Sequence, residues 1–108
     1  MKILFDQGTP APLRRSLPNH EITTAFERGW QALQNGDLLN VAEAEGFAVI
    51  VTTDKNLRYQ QNLADRHLAI VVLMTTDWRL IRQHTDYVTQ AIAALTPGAY
   101  IELPFPPS

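Results

Sequence analysis

Phe47-Ala48-Val49-Ile50-Val51-Thr52-Thr53-Asp54 decides the fold. Its first five residues are apolar without alternation and end in a hydroxyl pair and an acid. That is the pattern of a strand covered on both faces, as in a parallel sheet flanked by helices. The strand is expected over Phe47 to Thr52. Immediately upstream, Asn35-Gly36-Asp37 introduces a helix over Leu38 to Glu45. Leu38, Val41, Ala42 and Glu45 recur three and four apart there, and Gly46 supplies the C-terminal stop. Downstream, Leu68 to Leu73 repeats the continuous apolar signature, and Ile3-Leu4-Phe5 carries a shorter version of it. Glu21 to Thr24 and Tyr100 to Leu103 are weaker strand candidates.

Helical segments fall between these strands. Thr9 is positioned to cap a first helix with Pro10 in its opening turn, Leu13 and Leu17 on one face and Pro18 as its end. Asn56 to Asp65 reads as a polar helix with Leu57, Ala64 and Tyr59 inward. From a cap at Asp77, a last helix carries Trp78, Ile81, Val88, Ile92 and Leu95 on one side until Pro97-Gly98 closes it. Strand and helix thus alternate to the end. This order predicts an α/β fold: a three-layer α/β/α sandwich with a mainly parallel central sheet of about five strands. One domain is expected over residues 1–103, with 104–108 an extended tail in which Phe105 is the residue able to pack.

Composition narrows the function. The 108 residues are 45% hydrophobic with a net charge of −2, so overall charge does not advertise nucleic acid, and such a partner would need a local patch. Cysteine is absent, which removes disulfides, thiolate metal sites and cysteine nucleophiles together. No apolar run has the length of a signal peptide or a membrane helix, so a cytoplasmic address and no membrane partner are expected. His20, His67 and His84 lack zinc-ligand spacing, and Ser16 and Ser108 lie in no hydrolase elbow. The glycines at 8, 29, 36, 46 and 98 form no phosphate-cradling loop.

Open parallel sheets bind ligands at the carboxyl ends of their strands. Asp6 follows the first strand, Asp54 the third and Asp77 the fourth, and Asp37 opens the helix after the second. Four acids from distant parts of the chain are therefore expected on one edge of the sheet. Asp37 and Asp77 are also natural helix caps. Asp6 and Asp54 face each other if their strands are neighbours, and such a pair needs a cation or a shared proton. An arginine or a metal would answer that need. Oxygen ligands with water suit Mg²⁺ or Mn²⁺, which activate water and neutralise phosphodiester charge. A phosphoacceptor receiver domain would also use Asp6, Asp54 and Thr75 or Thr76. It requires a second acid after Asp6 and a lysine after the last strand, where Gln7 and Glu102-Leu103-Pro104 stand instead.

Met1-Lys2-Ile3-Leu4-Phe5-Asp6-Gln7-Gly8-Thr9-Pro10, Leu13-Arg14-Arg15, Glu27-Arg28-Gly29-Trp30, Gly36-Asp37-Leu38-Leu39 and Val51-Thr52-Thr53-Asp54-Lys55-Asn56-Leu57, in that order, resemble the small PIN-like domains of bacteria. The likeness is to their short, toxin–antitoxin-associated branch. It implies a parallel α/β sandwich whose acidic pocket holds Mg²⁺ or Mn²⁺ for cleavage of RNA. It assigns Asp6, Asp37 and Asp54 as catalytic residues and metal ligands, with Asp77 as a looser fourth. Many relatives carry Glu or Asn where Gln7 stands.

Around these acids, Arg14, Arg15, Lys55, Asn56 and Arg58 are the expected contacts to phosphates, with Tyr59, Gln60 and Gln61 able to meet bases. Trp30 and Trp78 are further stacking candidates, although tryptophan at such positions more often packs in a core or interface. The two functions in competition are a metal-dependent ribonuclease and a non-catalytic interaction module that binds a cognate antitoxin or another protein. Trp78 and the last helix are candidate surfaces for a homodimer.

Overall fold

A computed structural model describes residues 1–60, 63 and 65–106. Five strands form one sheet: β1 (Lys2–Phe5), β2 (Glu21–Thr24), β3 (Val49–Thr52), β4 (Ala69–Leu73) and β5 (Tyr100–Leu103). Their order is β2-β1-β3-β4-β5 and every neighbouring pair is parallel. The α/β architecture is the one the alternation of elements predicts, and both weaker strand candidates are present as the two edges.

Strands β3 and β4 are buried along their whole length, and β1 at every residue but Lys2, because both faces are covered. Ile3, Phe5, Val49, Val51, Ala69, Val71 and Leu73 point to one face. There they meet Leu13 and Leu17 of the first connection and Ile81, Val88 and Ile92 of the last. The residues between them, Leu4, Ile50, Ile70 and Val72, point to the other face and meet Leu38, Leu39, Ala42 and Leu57. Period-two alternation of a strand sends successive apolar side chains to opposite layers, so a continuous apolar run is what two cores require. Each fully buried Leu, Ile or Phe contributes about 1.5–3 kcal/mol to that arrangement.

The connections depart from the expected helices in instructive ways. The first, Ala11–Ser16, is a 3₁₀ helix entered through Pro10 without a side-chain cap. Thr9 does not cap it. Its hydroxyl instead donates to the Val51 carbonyl at 2.8 Å, tying the loop after β1 to β3. Helix α1 (Asn35–Ala44) begins earlier than expected, so Asn35-Gly36-Asp37 is its first turn and Gln34 its N-cap. Asp37 therefore makes no capping bond. Gly46, at φ +82°, provides the expected stop.

The polar helix expected over Asn56 to Asp65 is described only as α2 (Leu57–Gln60). Residues 61, 62 and 64 lie outside the described residues, and Asp65 adopts a left-handed φ of +66°. The last helical segment divides into α3 (Trp78–Ile81), a 3₁₀ turn Arg82–His84, and α4 (Thr85–Ala93). The tail packs through Phe105, whose ring stands edge-on to Tyr87 at 5.7 Å. Among the described residues no helix is long and apolar enough to cross a membrane.

Candidate functional site

The routing of the chain places the site. The connection leaving β1 runs over the face that holds Leu13 and Leu17, whereas the connection leaving β3 runs over the face that holds Leu57. Because β1 and β3 are neighbours, their loops part in opposite directions and open a crevice at the carboxyl ends of the two strands. Asp6 and Asp54 stand there.

One buried hydroxyl lies between the Asp6 carboxylate and the Asp54 backbone. Thr52, only 1% exposed, donates its proton to Asp6 Oδ2 at 2.8 Å and accepts the Asp54 backbone N–H at 3.1 Å. Both roles of the hydroxyl are thereby used, and its direction is fixed. Asp6 Oδ1 accepts the Gln7 N–H at 2.7 Å, and the Asp6 N–H is anchored on the Val51 carbonyl at 2.9 Å. Asp54 Oδ1 accepts the Asn56 N–H at 3.0 Å, while Asp54 Oδ2 accepts the side-chain amide of Asn35. Asn35 lies in the first turn of α1, whose dipole end favours negative charge. Gly8 makes room for this closure, because a side chain there would run into the Thr53 hydroxyl.

Every donor in this network is neutral. Among the described residues no lysine or arginine pairs with Asp6 or Asp54; the ion pairs lie elsewhere. The arginine that could have answered the charge of the pair is thus not supplied.

The other expected acids do not join it. Asp77 accepts the Arg79 N–H at 2.9 Å as the N-cap of α3, and the Arg79 guanidinium lies 3.5 Å from the same oxygen. Asp37 is exposed in the first turn of α1. Among the described residues no group of three or more His, Cys, Asp or Glu side chains is placed to share a metal ion. The cluster of four expected from strand ends is therefore a linked pair with two outlying members. For Asp77 the reason is local: a carboxylate at a helix start is used by its own backbone when φ and ψ permit.

The expected phosphate contacts divide. Arg14 is bound to the Glu27 carboxylate and Arg58 lies 3.8 Å from that of Glu102. Arg15 and Lys55 are exposed and have no ion-pair partner among the described residues. Asn56 contributes through its backbone. Gln61 and the side chains of Tyr59 and Gln60 lie outside what is described. Neither tryptophan is a free platform: Trp30 stands edge-on to Phe47 at 6.0 Å beneath Arg28, and Trp78 packs against the core. His20 lies 3.1 Å from the terminal amine of Met1, and burial followed by that positive charge lowers its pKa.

Three residues of this region had no role in the sequence reading. Thr52 carried a signal, since a hydroxyl closing an otherwise apolar strand must find a partner once buried. Asn35 was masked by its neighbour glycine, which makes Asn-Gly read as a turn. Phe26 sits inside Thr24-Ala25-Phe26-Glu27, whose Thr-x-x-Glu spacing is that of a reciprocal cap. The bonds are present: Glu27 accepts the Thr24 N–H at 2.9 Å and Thr24 Oγ1 accepts the Glu27 N–H at 3.0 Å.

Glu27 carries a testable pH signature. Hydrogen bonding from Arg14, then from the Thr24 backbone, lowers its pKa from 4.5 to about 2. A depressed folded-state value means the contribution is present above the unfolded pKa and is lost as pH falls through the folded one. The stability difference between the parent and Glu27→Gln, measured by urea unfolding, should be constant at neutral pH and shrink between pH 4.5 and about 2. A difference independent of pH would remove the ion pair as its cause. The pair is solvent-exposed, so the effect is small.

Compared with known proteins, the chain matches no family model, no curated protein and no solved structure.

Proposed function

We propose that the protein is a metal-dependent ribonuclease of PIN-like type, in which Asp6 and Asp54 hold Mg²⁺ or Mn²⁺ and Asp37 serves as an outer ligand through water. One observation carries this reading. The Asp6 carboxylate and the Asp54 backbone share a single buried hydroxyl at the sheet's switch point, and among the described residues both carboxylates receive only neutral donors. The donor set fits such an ion, because Mg²⁺ takes oxygen ligands and is commonly held by one or two carboxylates with several retained waters. When bound, the ion supplies Lewis-acid stabilisation of a phosphodiester and a water of lowered pKa.

The remaining work belongs to the chain. Thr52 and the Gln7 N–H orient Asp6, while Asn35 and the Asn56 N–H orient Asp54. Of the expected contacts, Arg15 and Lys55 have no ion-pair partner among the described residues and can take phosphates, whereas Arg14 and Arg58 must exchange a carboxylate to do so. The resemblance to toxin–antitoxin proteins and the lack of cysteine accord with action on RNA in the cytoplasm.

The second reading is a non-catalytic PIN-like module whose acidic rim binds a basic partner such as an antitoxin. It is favoured by the use of Asp77 as a cap, which leaves only the linked pair at the crevice. Titration calorimetry with Mn²⁺, followed by incubation with mixed RNA, separates the two. Uptake of the ion together with cleavage that a chelator abolishes is expected. No heat of binding at millimolar Mn²⁺ would leave the interaction module.

A further inference from the structure

Asp6 also borders a cavity between the segments that follow β1 and β2, which Asp54 does not line. Asp6, Gln7, Thr9, Ala11, Thr24 and Phe26 line this open cavity of about 270 Å³. Phe26 is 72% exposed, well beyond the next large hydrophobic residue, Met1, at 47%. Its turn is nevertheless held from several sides. Thr24 and Glu27 exchange two hydrogen bonds, Arg14 grips Glu27 from the 3₁₀ helix, and the Ala25 N–H donates to the Phe5 carbonyl of β1 at 2.8 Å. The Gly29 N–H closes on the Phe26 carbonyl at 3.0 Å, which its left-handed φ of +75° allows. The backbone under the ring is therefore set before any ligand arrives, which lowers the ordering cost of binding there.

We propose that Phe26 is a stacking platform for one unpaired nucleobase flanking the phosphate handled at Asp6 and Asp54. This rests on the ribonuclease reading above. Among the described residues no cation lines the cavity, so a phosphate finds no partner against Phe26, and what the exposed ring offers is a flat apolar face. The volume lies below the roughly 300 Å³ at which pockets begin to enclose whole small ligands, a size suited to one ring system. Thr9 spends its proton on the Val51 carbonyl, whereas Thr24 Oγ1 accepts the Glu27 N–H and keeps its own, so the exposed Gln7 amide and the Thr24 hydroxyl are the groups able to meet a base edge. Base–aromatic stacking tolerates any base, and a base within a duplex has both faces covered. Phe26 thus selects for an unpaired position and not for a sequence.

Steady-state cleavage of a short single-stranded RNA with Mn²⁺ tests the assignment. Phe26→Ala should raise KM by roughly 5- to 150-fold, with kcat changed much less and Mn²⁺ uptake unchanged. Phe26→Trp should restore KM. Removing bases one at a time from the substrate should reveal one abasic position at which the parent loses affinity and Phe26→Ala loses nothing further. A parental KM for Phe26→Ala, or an equal loss on duplex RNA, overturns the platform while the ribonuclease stands. A dimer of the parent that Phe26→Ala converts to a monomer, with KM unchanged, also overturns it and makes Phe26 a protein contact. Failure of the parent itself to cleave or bind RNA removes the ribonuclease reading and this one with it.

Discussion

Asp6→Asn is expected to reduce Mn²⁺-dependent RNA cleavage by on the order of a thousandfold or more while leaving the fold in place. The substitution keeps size and shape but exchanges one acceptor oxygen for an amide that can only donate. Both Asp6 oxygens are acceptors, one for the Gln7 N–H and one for the Thr52 hydroxyl. Whichever way an asparagine turns, its NH₂ therefore faces a donor. If the NH₂ turns toward Thr52, the hydroxyl must turn its proton away and accept in place of donating, so the hydrogen bond it gives Asp6 in the parent is lost. The variant should consequently lose about 1–3 kcal/mol of stability as well as its charge. Calorimetry should show Mn²⁺ uptake abolished, and circular dichroism should show the secondary structure retained. Cleavage at the parental rate would mean that Asp6 has no part in the reaction.

Thr52→Val is the second large effect, and it acts on the Asp6 carboxylate and on the backbone of Asp54. Valine matches threonine in shape, so the core around Ile50 is undisturbed, but the hydroxyl that joins Asp6 and Asp54 disappears. At 1% exposure no bulk water replaces it. An acceptor on Asp6 and the backbone donor of Asp54 are left unsatisfied, at a cost of about 1–3 kcal/mol. For a domain of this size that corresponds to a fall in melting temperature of roughly 5–20 °C. Because Thr52 orients the Asp6 carboxylate without touching the ion, Mn²⁺ affinity or activity should weaken by about 10- to 100-fold. Thr52→Ser restores the hydroxyl and should recover most of the binding. Parental Mn²⁺ binding and stability in the valine variant would indicate that the hydrogen bonds of Thr52 do not matter.

The same residue shows why some of the site was legible and some was not. Asp6 and Asp54 stand out in the sequence because each follows a strand that is apolar on both faces, and strand ends in a parallel sheet converge on one rim. Asp77 and Asp37 follow similar logic, yet the folded chain uses Asp77 as a cap and leaves Asp37 exposed in the opening turn of α1. Capping depends on φ and ψ at one residue, a local choice with a free-energy difference of about 0.5–2 kcal/mol that neighbouring packing easily reverses. Arg14 and Arg58 are similar. Their proximity to the acids in sequence suggested substrate contacts, whereas the nearest carboxylates in space belong to Glu27 and Glu102. Phe26 was invisible for a different reason: an isolated apolar residue in a polar turn is ordinarily of no consequence, and only the cavity beside Asp6 singles it out.

By itself the sequence determined the layers. Unbroken apolar runs at β3 and β4, separated by stretches of helical period, can bury both faces only as interior strands of a covered parallel sheet, and that constraint is local to each segment. Tertiary structure alone decided the strand order, and with it that β1 lies against β3. From that neighbourhood follow the opposed exits of two loops, the crevice between them and the shared hydroxyl of Thr52. Each depends on which non-adjacent segments pair, a matter of global packing that no single stretch of chain encodes.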